Sequence, residues 1–328
     1  YNDKWGAFCS EHDIHSCSYE DIINRSGNLV PAFANYEKWL TREALLGVSI
    51  VLEYITTQSG YLKDFLTVAL SAKMRSIGNV DVDVVRAEYR KTPRENVDVL
   101  KLVSNQIQRM ALLGNDMLKT HKGITGSSDS VSVIEGDALS VDITPGSISH
   151  IITSPPYGVE SLSYLRTHLL SFRVLEPLLG VDPYNFNEGV IGSEYLSCED
   201  IDVKELNVSK CSPTYTEFFN RMLDATASGN EKRRVMMMMK FFEDMYRIIY
   251  KFFIWLKPKG KVAFVIGNKK IGDVLIPTDT IIREIFESCG FVYEQSIAHK
   301  LKTNNSNSQV PWQERIIENE YVMIFERT

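Results

Sequence analysis

Apolar residues recur along the chain in two regimes. Between Tyr36 and about His121 their spacing is helical. The stretch Tyr36–Leu45 suits a helix start with Thr41 and Glu43 near its first turn, and Leu45–Ile55 is apolar on most faces. Leu62, Phe65, Leu66, Ala69 and Leu70 repeat at i, i+3, i+4, i+7 and i+8, which predicts a second helix. After a charged loop from Arg86 to Arg94, a third helix is marked by Val97, Leu100, Val103, Ile107, Met110 and Leu113. Gly60 and Gly78-Asn79 punctuate these helices. Residues 36–130 carry no catalytic constellation and read as scaffold. Residues 1–35, with small polar residues and Pro31, read as irregular.

Residues 122–130 read as a polar link, and from 131 to 328 the pattern changes to α/β alternation. Val131–Ile134 predicts a strand that ends in Glu135-Gly136-Asp137-Ala138-Leu139. A buried strand follows at Ile151-Ile152. Residues 180–230 are poor in periodicity and rich in Gly, Ser, Asn and acidic residues, so they read as an insertion, a natural place for target recognition. Glu231–Leu256 predicts a long amphipathic helix whose Met236–Met239 run reads as core. A turn at Leu256–Gly260 leads to a central strand, Lys261–Asn268. A helix then starts at Ile276-Pro277-Thr278-Asp279, with Thr278 as its cap, and ends at Gly290. Phe291–Ala298 and Glu320–Glu326 predict a closing antiparallel pair.

The chemistry gathers where the Ile151-Ile152 strand runs into Thr153-Ser154-Pro155-Pro156-Tyr157-Gly158. The prolines fix φ and remove backbone donors, so neighbouring carbonyls can point outward without ladder partners. Ser154 precedes a proline and is held extended. Tyr157 adds a flat π face beside its hydroxyl. Such a corner suits a planar group carrying an NH2, which needs acceptors for its hydrogens and a ring to stack on.

Thr-Ser-Pro-Pro-Tyr after an apolar strand resembles the catalytic motif of the amino-group DNA methyltransferases, in which Ser, Asn or Asp precedes Pro-Pro-Tyr. The resemblance implies a Rossmann-like class I methyltransferase fold, S-adenosylmethionine as cofactor and double-stranded DNA as partner. It assigns Ser154, Pro155, Pro156 and Tyr157 to catalysis and Asp137, Ala138, Thr153 and Ser154 to the cofactor. Serine at the first position implies N4-methylation of cytosine, within a restriction-modification or related system. N6-methylation of adenine uses the same chemistry in another pocket, and a non-catalytic nucleic-acid-binding subunit of a split enzyme is a third reading. From the residues alone, Asp137 suits the cap of a following turn equally well.

Composition narrows this only slightly. The 44% hydrophobic and 24% charged content is that of an ordinary globular protein, and a net charge of −6 does not announce a nucleic-acid binder. Basic residues do cluster at Lys232–Arg234, Lys257–Lys261, Lys269-Lys270 and His299–Lys302. Five scattered cysteines fit a reducing cytoplasm, and the best candidate for an apolar span, Phe252–Leu256, is far too short to cross a membrane. Cys9, His12, His15 and Cys17 lie close together, but zinc sites usually draw on two separated pairs, so no metal is expected there.

The resembled family also carries a glycine-rich loop after its first strand, which holds the methionyl end of the cofactor. No such loop occurs in this sequence. Ile266–Gly272 is the nearest candidate, with the wrong spacing and after the wrong strand. The family's first two strands should lie between the strand near Val131 and that near Ile151. The expectation is that both strands, with the loop, come from residues upstream of Tyr1 or from a second chain.

Overall fold

The computed structural model describes residues 18–26, 29, 33–81, 87–125, 132–159, 164–180, 190–193, 206–225, 229–271, 274–301, 317 and 319–328. The chain divides into two compact units, Tyr1–Ser132 with Ser163–Asn187 and Val133–Leu162 with Glu188–Thr328. The expected region from 131 onward therefore loses residues 163–187 to the first unit.

That unit is helical among its described residues: α1 (Tyr19–Ser26), α2 (Tyr36–Trp39), α3 (Arg42–Thr56), α4 (Gly60–Ser71), α5 (Met74–Ile77), α6 (Val99–Thr125) and α7 (Tyr164–Leu179). Thr41 caps α3 by accepting a 3.3 Å hydrogen bond from the Ala44 amide. Leu45, Leu52, Ile55 and Leu70 are buried together. Gly47 lets α3 and α6 approach closely, since a Cβ there would lie 2.6 Å from the Val99 Cβ.

Two expectations fail in this unit. Tyr19–Ser26 is helical rather than irregular. Ser18 and Asp21 cap it reciprocally, the Asp21 amide donating to the Ser18 Oγ at 3.1 Å and the Ser18 amide to the Asp21 Oδ2 at 3.0 Å. Such a box satisfies first-turn amides and outweighs the weak local propensity. Residues 122–125, read as link, continue α6, because extending an existing helix needs no new nucleus.

The second unit is α/β. It contains β1 (Ile148–Thr153), α8 (Val208–Cys211), α9 (Pro213–Ala225), α10 (Asn230–Trp255), β2 (Leu256–Gly267), β3 (Lys270–Ile271), β4 (Val274–Leu275), α11 (Thr278–Ser288), β5 (Phe291–Lys300) and β6 (Asn319–Arg327). The main sheet has the order β1-β2-β6-β5. β1 runs parallel to β2, and β6 is antiparallel to both β2 and β5. Apolar faces of α10 and α11 pack on this sheet in one core; Phe286 of α11 stacks on Phe325 of β6 with ring centroids 3.9 Å apart.

Four expectations need correction here. Ser132–Glu135 forms no strand, and Val133 is 90% exposed. Among the described residues β1 has one sheet neighbour, β2, so a strand expected to lie beyond intervening strands has nothing to pair with. The insertion contains α9, which buries Tyr215, Phe218, Phe219 and Met222. Their helical spacing was already a legible signal, and in the structure Ser212 Oγ accepts from the Tyr215 amide at 3.0 Å. Leu256–Gly260 is the start of β2 and not a separate turn, with Lys259 at φ 65° and a register shift against β1 absorbing the irregularity. Finally, Thr278 does not cap α11. Asn268, at the end of β2, does so by accepting from the Asp279 amide at 3.0 Å.

Candidate active site

The parallel ladder sets Thr153 opposite Phe264, so β1 delivers Ser154 to the carboxyl end of the sheet beside the end of β2. Open α/β sheets bind their ligands at this end. Ser154 is exposed, while Pro155, Pro156 and Tyr157 are half-buried.

Tyr157 turns back over β2. Its ring packs against Gly267, where an added Cβ would lie 3.0 Å from Tyr157 Cδ2 and 2.6 Å from Ile317 Cγ2. Its hydroxyl donates to Glu320 Oε1 at 2.8 Å and lies 3.3 Å from Ser154 Oγ. Glu320 reaches this place because β6 pairs it with Gly267. Burial and the adjacent Glu320 carboxylate hold the Tyr157 phenol above its ordinary value of 10.0, against the opposing hydrogen bond to Ser154. Tyr157 is therefore a neutral donor throughout the physiological range.

The chain beyond Tyr157 is clamped. Gly158 adopts φ +120°, and a Cβ there would meet Met238 Sδ at 2.8 Å. The buried Val159 amide donates to that sulfur at 3.2 Å, and Lys269 Nζ donates to the Val159 carbonyl. Gly192 packs on the same loop, where a Cβ would come 2.8 Å from the Gly158 oxygen. The corner is held from α10, from the segment after β2 and from residue 192.

The remaining sequence candidates lie apart from this cluster or are engaged locally. Asp137 and Ala138 occupy an exposed turn, and Asp137 Oδ1 accepts from the Leu139 amide at 2.9 Å, as a turn cap does. Of the basic residues at 257–261, Lys259 and Lys261 pair with Glu326 at 3.1 and 3.6 Å, and Lys261 also contacts Glu294 at 2.6 Å. These three lysine contacts tie the sheet together. Cys9, His12, His15 and Cys17 lie outside the described residues. Among the described residues no His, Cys, Asp and Glu side chains group to hold a metal, and no helix is long and apolar enough to cross a membrane.

Sequence reasoning missed Glu320, Met238, Gly192 and Gly267. Met238 was read only as core. Glu320 had no local signal, since its place depends on the pairing of β6 with β2.

Comparison with known proteins gives the site its context. No family model matches the chain. The type II methyltransferase M.MvaI of Kocuria varians is 21% identical over 304 residues, covering 88% of this chain and 65% of that protein. M.BsoBI of Geobacillus stearothermophilus is 26% identical over 207 residues, covering 56% of this chain and 39% of that protein. Both relatives are type II methyltransferases. The chain thus spans less than two thirds of the length of either.

Among solved structures, a protein of Thermus thermophilus described as a DNA modification methylase overlaps 58% of this chain and 50% of its own, at 16% identity and a TM-score of 0.29. A superposition that loose does not establish a shared fold.

The sequence expectation assigns four residues to a methyl-donating cofactor. Thr153 and Ser154 stand at the sheet's carboxyl end, and Asp137 and Ala138 on their turn. None of the described turns is a glycine-rich cradle of backbone amides of the kind that holds such a group.

Proposed function

We propose that this chain carries the catalytic corner of a DNA methyltransferase that uses S-adenosylmethionine to methylate the N4 amine of an extruded cytosine. The observation that carries this reading is Ser154-Pro155-Pro156-Tyr157 at the carboxyl end of β1, in a parallel pairing with β2. The similarity to two type II methyltransferases supports the same reaction class. The sheet order β1-β2-β6-β5 is compatible with half of a Rossmann-like class I sheet, bounded by the strand that bears the corner.

The cofactor supplies a methyl group activated on a sulfonium. The protein's task is to present the amine. Ser154 Oγ and the Pro155 carbonyl accept hydrogen bonds from the NH2, which orients its lone pair and raises electron density on nitrogen. Tyr157 offers a ring beside the base, whose extrusion is needed because the reacting atom is inaccessible inside the duplex. Asp137 and Ala138, with Thr153 and Ser154, are the residues we assign to the cofactor. The glycine-rich part of that site, which this sequence lacks, is assigned to a segment outside it or to a second chain, which would also flank β1.

N6-adenine methylation is the second reading, favoured by the same acceptor geometry, which serves any exocyclic amine. Nucleoside mass spectrometry on DNA from cells producing the protein together with the segment or chain that completes the cofactor site, beside a Ser154→Ala variant, tests both. N4-methylcytosine that disappears with the substitution is expected. N6-methyladenine that disappears would promote the second reading. Neither mark would overturn both and favour a non-catalytic nucleic-acid-binding subunit.

A further inference from the structure

Glu320 ends a short chain of hydrogen bonds that starts at the exposed Ser154. Tyr157 Oη lies 2.8 Å from Glu320 Oε1 and 3.3 Å from Ser154 Oγ, and the second bond could run in either direction on geometry alone. Chemistry settles it. The Glu320 carboxyl oxygen accepts from Tyr157 Oη, so the Tyr157 proton points at Glu320. The phenol oxygen is then left to accept, and the Ser154 hydroxyl donates to it. Ser154 Oγ keeps its lone pairs for whatever approaches from outside.

We infer that Glu320 is a positioning residue which, through Tyr157, locks Ser154 as a hydrogen-bond acceptor and receives the proton that the substrate amine sheds. The inference rests on the function proposed above and deepens it in two ways. It accounts for selectivity: a corner locked as acceptor welcomes the NH2 of cytosine or adenine and repels the O4 of thymine or O6 of guanine, which would set two acceptors face to face. It also gives the proton an exit. As the nitrogen lone pair forms the N–CH3 bond, the C–S bond breaks and its electron pair stays on sulfur. The nitrogen, now cationic, loses one proton to Ser154 Oγ. The serine hydrogen passes to Tyr157 Oη, and the tyrosine hydrogen passes to Glu320, which becomes neutral. Charge and protons balance with no further reactant.

Two arguments favour this over a bare structural contact. Glu320 is placed by strand register, opposite Gly267, so the carboxylate is held on a rigid element. Glycine at 267 also leaves the room the Tyr157 ring needs to bring its hydroxyl there, because even a Cβ would press to 3.0 Å from that ring.

The test compares wild type, Glu320→Gln, Tyr157→Phe and the double variant. One readout is single-turnover methyl transfer to duplex DNA, measured beside DNA affinity. The other is the titration of Tyr157 followed by carbon-13 labelling of tyrosine Cζ, with Tyr157→Phe giving the assignment. Each single variant is expected to slow transfer about 100-fold, in the range of lost acid–base assistance, with DNA affinity unchanged. The double variant should be no slower than the worse single one, since all three break one path. Tyr157 should titrate at lower pH in Glu320→Gln, because a neighbouring negative charge has been removed. Transfer by Glu320→Gln within about threefold of wild type, or an unmoved Tyr157 titration, overturns the inference and leaves the proposed function standing. A wild-type protein that marks no amine when supplied with the segment or chain that completes the cofactor site overturns the function itself and the proton path with it.

Discussion

The amide of Val159 donates to the sulfur of Met238 at 3.2 Å, and this contact joins the long helix α10 to the loop just past the proposed catalytic corner. Replacing Met238 with Leu keeps the volume but removes the acceptor, leaving a buried N–H unmatched. The expected cost is about 1 kcal/mol, read as a lower urea midpoint. Methyl transfer should fall further than stability does, because the loop carrying Gly158 loses one of its clamps.

Gly267 makes a sharper case. A Cβ at this position would press on both Ile317 and Tyr157, at 2.6 and 3.0 Å. Gly267→Ala should displace the tyrosine ring from Glu320. Overpacking of this kind costs about 1–3 kcal/mol. A displacement of about 1 Å at a reacting group can cost about 100-fold in rate. The expected variant is folded by circular dichroism, modestly less stable, and slower in methyl transfer by about 10–100-fold.

Asn268 is predicted to matter for stability alone. Its side chain accepts from the Asp279 amide at the start of α11. Asn268→Ala should destabilise by about 1 kcal/mol, and Asn268→Asp should restore most of it. Denaturant midpoints for the pair distinguish a lost cap from a lost side chain.

Cys289 predicts an alkaline weakness. Burial pushes its thiol from 9.0 up to about 11. A group whose value is raised on folding stabilises fully below its unfolded value and loses that contribution as the pH rises through the folded one. Stability should therefore decline between about pH 9 and 11. In Cys289→Ala the urea midpoint should decline less across that window than in wild type. Equal declines would remove Cys289 as the cause.

Much of the architecture was legible because it is local. Helical spacing located α3, α4 and α10, and the apolar pair Ile151-Ile152 located β1 with its rigid turn. Other local signals were present but overlooked, namely the Ser18–Asp21 capping box and the Tyr215–Met222 stripe. What no window could yield was pairing. Val131–Ile134 has a strand's composition, yet a strand exists only where a neighbour accepts its ladder. Glu320 reads as an ordinary acidic residue at the head of an apolar strand until register places it beneath a tyrosine 163 positions away.

The sheet stops, among the described residues, at the strand that bears Ser154, and Ile152 on that strand is 83% exposed. Ser154 is therefore placed by one ladder rather than two. Tyr157 and Val159 are fastened to β6 and α10, but the serine between them and β1 inherits whatever fraying that single ladder allows. Heating should blunt the corner before it melts the fold, and anything lying along the outer edge of β1 would act as a stiffener of the reaction.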